Sequence, residues 1–291
     1  MVSAPDPAGT SRPPLLVVID PLARLADGES VRIARDVLCA GAPGTKVCLP
    51  QSVEETERAL ARRGSRRPVV VGDDRALLRA VQLLHREREL SEAALSVVPV
   101  GTAAAVALTR GLGVPADAVS AARTVLDGVG CRLDLLLDDS GGVVLGGLRI
   151  PEVPGVGAVT ERTDRLEPAG CAPFSRTRRS LTRSMRAVRR AAAPLPPARR
   201  LRVEADGELL ADLDHPVTEV SVMPDEWERG LAQVTVRPEA ADPSEPVTAR
   251  ARAVTVSGPD FRYRADALVG GPVRFRTWTV LADAWTLTLP G

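Results

Sequence analysis

The chain has 291 residues, with 38 basic and 37 acidic side chains and a formal net charge of +1. This balance excludes any inference about partners from net charge, so only local charge clusters are informative. The length suffices for two domains, and an aromatic content of 2% predicts an aliphatic core.

The four cysteines argue against a structural zinc site. Cys39, Cys48, Cys131 and Cys171 include no Cys-x-x-Cys pair, and the chain has only two histidines. We expect buried, free thiols in a reducing compartment.

The first 13 residues form a polar, proline-rich lead with no charged-then-apolar signal pattern. No apolar run approaches the ~20 residues of a membrane span. These features predict a cytoplasmic protein, with peripheral contact at a membrane surface left open.

Residues 14–134 alternate short apolar runs with helical periodicity. The predicted strands are Leu15–Ile19, Lys46–Leu49, Pro68–Val71 and Leu95–Val98. The predicted helices are Glu29–Cys39, Ser52–Arg63 (opened by a Ser52/Glu55 capping box), Ala76–Arg88, Thr102–Leu112 and Asp117–Asp127. This alternation predicts a Rossmann-like α/β domain with a parallel sheet. Ligands of such sheets bind beyond the carboxyl ends of the strands, which are the loops after Ile19, Val71 and Val98.

Residues 135–291 carry short strand-like runs separated by turns rich in Gly, Pro and Asp. The runs from about residue 130 are Leu133–Leu137, Val143–Leu145, Leu201–Val203, Glu219–Val222, Ala232–Val236, Ala251–Val256, Phe261–Arg264, Val273–Val280 and Trp285–Leu289. They predict a β-sandwich domain, with Trp227, Trp278 and Trp285 as core or edge packing. One helix interrupts it, near residues 176–193.

Four segments occur in an informative order. Ile19-Asp20-Pro21 follows the first strand, VVVGDDRALLRAV spans residues 69–81, VVPVGTAAAVALTRGLGVP spans residues 97–115, and Cys131-Arg132-Leu133-Asp134-Leu135 follows. In this order the chain resembles the diacylglycerol kinase-like lipid kinases, which are related to the NAD kinases. The corresponding family segments are N-P, G-G-D-G-T-L, P-x-G-T-x-N-D-x-A with L-G-I-P, and R-x-I-D-L.

The resemblance implies ATP- and Mg²⁺-dependent transfer of a phosphoryl group to a lipid hydroxyl. It implies a nucleotide site formed by the residues Asp20, Gly72, Asp73, Asp74, Arg75, Gly101 and Thr102. It also places Asp266 at the aspartate of a D-G-E segment that supplies catalytic carboxylates. No metal ligand is assigned from the sequence.

The same segments depart from the family at polar positions. Asp73, Arg75 and Ala76 replace two glycines and the threonine of G-G-D-G-T, and Asp20 replaces the first asparagine. Ala104-Ala105 replaces the Asn-Asp pair. In the second half, Arg229–Gln233 replaces D-G-x-L-D, and Asp266-Ala267-Leu268 replaces D-G-E.

Asp206-Gly207-Glu208 spells D-G-E but lies early in the chain. It is either a hairpin turn or a relocated acidic site. The departures leave two functions open: a lipid kinase with an altered site, and a catalytically inactive lipid-binding or regulatory protein on the same fold.

Ten arginines lie between residues 176 and 202, with no acidic residue between Glu167 and Glu204. The basic face of the predicted helix includes Arg178, Arg179, Arg183, Arg186 and Arg190. Such a face suits an anionic membrane surface, and an ordinary solvated helix is the alternative. No aromatic side chains alternate with the arginines, so nucleic acid is not the expected partner.

Overall fold

The computed structural model describes residues 13–151, 198–225, 227–239 and 246–291. The predicted basic helix at residues 176–193 and Cys171 lie outside the described residues. The prediction of a lipid-facing arginine surface there therefore stays a prediction.

The first half alternates strands and helices, as its periodicity predicts. The strands are β1 (Leu15–Ile19), β2 (Lys46–Cys48), β3 (Arg67–Gly72) and β4 (Ala94–Pro99). The helices are α1 (Pro21–Ala26), α2 (Gly28–Gly41), α3 (Val53–Ala61), α4 (Asp74–Arg86), α5 (Ala107–Gly111) and α6 (Ala118–Asp127).

These four strands form a parallel sheet in the order β4-β3-β1-β2. Successive side chains of a strand point to opposite faces, so the apolar strands contribute to a core on each side. Val17 belongs to one core, which contains α2 and α6 residues, and Val18 to the other, which contains α3 and α4 residues. The predicted Rossmann-like α/β architecture is confirmed.

Two helices differ from the prediction. Helix α1 was not predicted; it starts at Pro21, whose fixed φ suits a first helical position, and Asp20 caps it. Helix α5 begins at Ala107 rather than Thr102, because Thr102 starts a turn in which its carbonyl accepts the N–H of Ala105 and Val106.

The second half is a large antiparallel β region, as predicted. Its strands are β5 (Val129–Asp138), β6 (Val143–Val144), β7 (Leu148–Ile150), β8 (Arg202–Ala205), β9 (Glu208–Ala211), β10 (Val217–Pro224), β11 (Ala232–Pro238), β12 (Val247–Ala251), β13 (Ala253–Ala265) and β14 (Leu268–Leu289). Strands β13 and β14 each join two predicted runs, because the residues between those runs stay extended with register shifts.

Strand β14 connects the two halves. Thr286 and Leu287 pair in parallel with Ala94 and Leu95 of β4, while the same strand pairs antiparallel with β5. The parallel and antiparallel strands are therefore continuous in one sheet. The carboxyl edge of the parallel sheet thus has a fixed position relative to the antiparallel half.

The tryptophans show where the cores lie. Trp278 and Trp285 are buried, and Tyr263 packs edge-on against Trp278 with 5.1 Å between ring centroids. Trp227 is 64% exposed, so the prediction of packing was wrong for this residue. It follows Asp225 in a turn whose backbone N–H groups bond the Asp225 carboxylate, which holds the ring outside the core.

The described cysteines form no disulfide with one another, and they differ in burial. Cys131 is buried and Cys48 partly buried, but Cys39 is exposed, so the expectation of a buried thiol was wrong there. None of the helices in the described ranges combines the length and apolar character of a membrane span.

Candidate functional site

The loops after β1 and β3 approach each other closely at Gly72. A Cβ added to Gly72 would lie 2.8 Å from the Ala76 Cβ and 3.0 Å from the Asp20 Cβ. The backbone N–H of Asp20 also donates to the Val71 carbonyl at 2.9 Å. Glycine at position 72 is therefore required for the packing of this sheet edge.

Asp20 joins α1 to α4. Its carboxylate accepts the Leu22 N–H at 2.9 Å and forms an ion pair with Arg79 at 2.5 Å. The Asp20 side chain is almost fully buried and Arg79 is partly buried. The carboxylate is thereby neutralised and bonded within the protein.

Asp73 caps the N-terminus of α4. Its backbone is extended, and its carboxylate accepts the Ala76 N–H at 3.0 Å. The N-terminus of a helix is the position where backbone N–H groups and the helix dipole favour an anion. The carboxylate of Asp73 supplies that anion. Arg75 is exposed and forms no ion pair with any residue in the described ranges.

Asp74, the first residue of α4, bonds the start of another helix. Its two carboxylate oxygens accept the N–H groups of Leu108 at 2.8 Å and Thr109 at 2.9 Å, at the start of α5. Asp74 is 3% exposed. Burial raises the pKa of this carboxyl, although the two N–H bonds act against the rise.

Gly101 and Thr102 lie opposite Asp73. Gly101 has a φ of +150°, and a Cβ placed there would come within 3.8 Å of the Asp73 Cβ. The following residues, Ala104 and Ala105, add no polar side chain. This loop therefore offers a glycine backbone but no amide or carboxylate side chain at positions 104 and 105.

Asp266 occupies the turn between β13 and β14. Its φ of +48° is in the left-handed region that aspartate tolerates in turns. Its carboxylate accepts three backbone N–H groups, from Leu145 at 2.7 Å, Gly146 at 2.7 Å and Gly147 at 3.1 Å. Burial raises the pKa of Asp266 to about 6, and these three bonds oppose the rise.

Asp74 and Asp266 come together between the two halves of the molecule. Leu108 is bonded by Asp74, and Gly146 is bonded by Asp266. A Cβ on Gly146 would lie 2.6 Å from Leu108 Cδ1 and 3.1 Å from Asp266 Oδ1, so only glycine fits at position 146. Negative charge on Asp74 contributes to the raised pKa of Asp266. The sequence prediction named both acids but missed their partners; the Gly146-Gly147 pair was the available signal for a close backbone approach.

The acids at this sheet edge share one property: each is bonded by the chain itself. Asp20, Asp73, Asp74 and Asp266 all accept backbone N–H groups. Within the described part of the chain, no three His, Cys, Asp or Glu side chains are grouped as metal ligands. The arrangement favours a preorganised polar structure over an open cation site.

The second-half segments have defined structural roles. Asp206 and Gly207 form the two-residue turn between β8 and β9 with positive φ at both positions, so the hairpin interpretation is confirmed. In the Arg229–Gln233 segment, Arg229 pairs with Asp283, and the Gly230 N–H donates to Asp134. Leu268, where the sequence resemblance implied a glutamate, is 47% exposed.

Three solved structures share this fold over nearly the whole chain. All are from Bacillus anthracis str. Sterne, and two are described as a "putative diacylglycerol kinase" and the third as a diacylglycerol kinase. Their sequence identities are 14%, 13% and 13%, with TM-scores of 0.66, 0.68 and 0.64. The alignments cover 95%, 97% and 95% of this chain and 96%, 98% and 96% of the others. No family model and no curated protein matches the sequence.

The raised pKa of Asp266 predicts a pH-dependent stability. The folded chain retains this proton between the unfolded value of 3.8 and about 6, where the unfolded chain has released it. The unfolding free energy should therefore fall by about 3 kcal/mol from this group as pH rises through that window. In Asp266→Asn this contribution should vanish, which urea unfolding across the window measures.

Asp214→Asn, at an exposed aspartate in the turn before β10, is the matched control and should keep the wild-type slope. An Asp266→Asn slope equal to the wild-type slope would show that the Asp266 pKa is not raised.

Proposed function

We propose that this protein, which has the diacylglycerol kinase-like fold, is a non-catalytic lipid-binding or regulatory protein. The main support for the proposal is the hydrogen bond of the Asp73 carboxylate at the start of α4. This carboxylate accepts the Ala76 N–H, at the position where a phosphate group would bind. A triphosphate would have to displace the Asp73 carboxylate from this N–H group. The negative charges of Asp73 and Asp74 would also repel it.

The residues present do not fit ATP with Mg²⁺. The space beside the Gly72 backbone is taken by the Ala76 and Asp20 side chains and is not left open to a phosphate. The carboxylates do not fit, because both oxygens of Asp74 are bonded to α5 and Asp266 is bonded by three N–H groups. Ala104 and Ala105 offer the ligand no side-chain hydrogen bond. We therefore derive no phosphoryl-transfer step for this chain.

The lipid part of the proposal rests on the sequence between residues 176 and 202. Its ten arginines include Arg178, Arg179, Arg183, Arg186 and Arg190. Each basic group near an anionic membrane surface contributes about 1 kcal/mol to binding. An arginine cluster of this size without acids supports attachment at an anionic membrane surface.

Mg-ATP binding tests the non-catalytic part. A ligand at about 100 times its dissociation constant stabilises a protein by about 2.7 kcal/mol, which raises the melting temperature. We expect no rise in melting temperature with millimolar Mg-ATP relative to Mg²⁺ alone. We also expect no transfer of radiolabelled phosphate to a lipid panel. A rise accompanied by transfer would contradict the proposal.

Vesicle sedimentation tests the lipid part. The full chain should bind phosphatidylcholine vesicles that contain anionic lipid, and bind neutral vesicles weakly. Replacing Arg178, Arg183, Arg186 and Arg190 by Gln should weaken anionic-vesicle binding by about 100-fold or more, because about four favourable contacts are lost. Equal binding to neutral and anionic vesicles would reject an electrostatic attachment.

Lipid kinase activity is the second candidate, and one observation favours it. Burial raises the pKa of Asp266 to about 6, and the negative charge of Asp74 contributes to the rise. A carboxylate with this pKa could accept the proton of a lipid hydroxyl. In that case Asp266→Asn should lower phosphate transfer by roughly 10²–10⁴-fold. Transfer that is unaffected by this substitution would indicate a contaminating kinase.

A further inference from the structure

A groove on the outer edge of the parallel sheet carries a set of cations that the proposed function does not use. It lies between β2 and α3 and has a volume of about 320 Å³. Its lining consists of Lys46, Cys48, Glu55, Arg58, Ala59 and Arg62. Pockets that hold small ligands start at about this size.

The geometry of the two elements explains why these side chains converge. Lys46 and Cys48 alternate with Val47 along β2, so they share the face that looks toward α3. Glu55, Arg58, Ala59 and Arg62 follow the spacing of one helical face. Among the described strands, β2 is the last of the sheet on this side.

The charges of the groove are not balanced within it. Lys46, Arg58 and Arg62 are exposed, and none forms an ion pair with another residue in the described ranges. The one acid, Glu55, accepts the Gln51 N–H at 2.8 Å at the start of α3. Arg58 Nε donates to the Glu54 carbonyl at 3.2 Å, and the Arg58 charge also interacts with the Glu54 carboxylate one turn earlier on α3.

The opposite side of α3 provides a contrast. There, Arg63 pairs with Glu89, and Glu57 pairs with Arg86 of α4. Glu57 is thus paired on the other side of α3, and Glu55 lines the groove beside its three exposed cations. Guanidinium groups form paired, charge-assisted hydrogen bonds with phosphate oxygens, and a neighbouring ammonium adds a point charge.

We propose that the groove formed by Lys46, Arg58 and Arg62 is a binding site for a phosphate group. The phosphate comes either from a soluble phosphate compound or from a phospholipid headgroup. The partly buried Cys48 and Ala59 pack against the apolar core and form the floor, while the three cations surround the opening. This site is separate from the loops after β1, β3 and β4.

The test compares two double variants of the full chain with equal loss of charge. Arg58→Gln with Arg62→Gln removes two groove cations. Arg32→Gln with Arg35→Gln removes two arginines of α2 that already pair with Glu29 and Asp36, and serves as the control. Calorimetric titration with inorganic phosphate and sedimentation with phosphatidylcholine vesicles, with and without phosphatidic acid, are the two arms.

We expect the groove variant to bind roughly tenfold more weakly than the control in at least one arm. A loss in the phosphate titration identifies a soluble phosphate compound as the source, and a loss confined to phosphatidic acid vesicles identifies a headgroup. Equal binding by the two variants in both arms, or no binding by the wild type in either, would overturn the proposal. Circular dichroism of both variants checks that they are folded.

Discussion

The hydrogen bond from a backbone N–H to an aspartate carboxylate organises this molecule. Asp20 and Asp73 use it to start helices after β1 and β3, and Asp74 uses it to hold α5. Asp266 uses it to fix the loop after β6. Such charge-assisted bonds are stronger than neutral ones, and breaking one in a buried place leaves an unsatisfied group. The stability of the sheet edge and the chemistry available there therefore depend on the same carboxylates.

Strand β14 connects the parts of the chain that these hydrogen bonds stabilise. It pairs with β4 of the parallel sheet and with β5 of the antiparallel region, so the two halves are held in register. The turn before β14 carries Asp266, and the loop that Asp266 binds touches Leu108 of α5. Asp74 accepts the backbone N–H groups of Leu108 and Thr109 in the same helix. At the junction between the halves, the carboxylates of Asp74 and Asp266 are therefore bonded by backbone N–H groups of the chain itself.

The sequence predicted the architecture better than the site. The apolar strand Leu15–Ile19 and the Ser52 cap of α3 are local signals, and both appear as predicted. The reciprocal bond of the Ser52/Glu55 capping box differs, because the Glu55 carboxylate accepts the Gln51 N–H. The resemblance to diacylglycerol kinase-like proteins also named Asp74 and Asp266. It did not reveal that their oxygens bond Leu108, Thr109 and residues 145–147, because these contacts join segments up to 121 residues apart. The cationic groove was likewise hidden, since Lys46 and Arg58 meet only when β2 packs beside α3.

The Asp73 carboxylate occupies the anion position at the start of α4. Isothermal titration of Mg-ATP into wild type and Asp73→Gly measures this directly, because glycine costs only a few tenths of a kcal/mol as a helix cap. We expect Asp73→Gly to bind Mg-ATP at least about tenfold more tightly than the wild type, a difference of about 1.4 kcal/mol. Wild-type binding as tight as that of Asp73→Gly would contradict it.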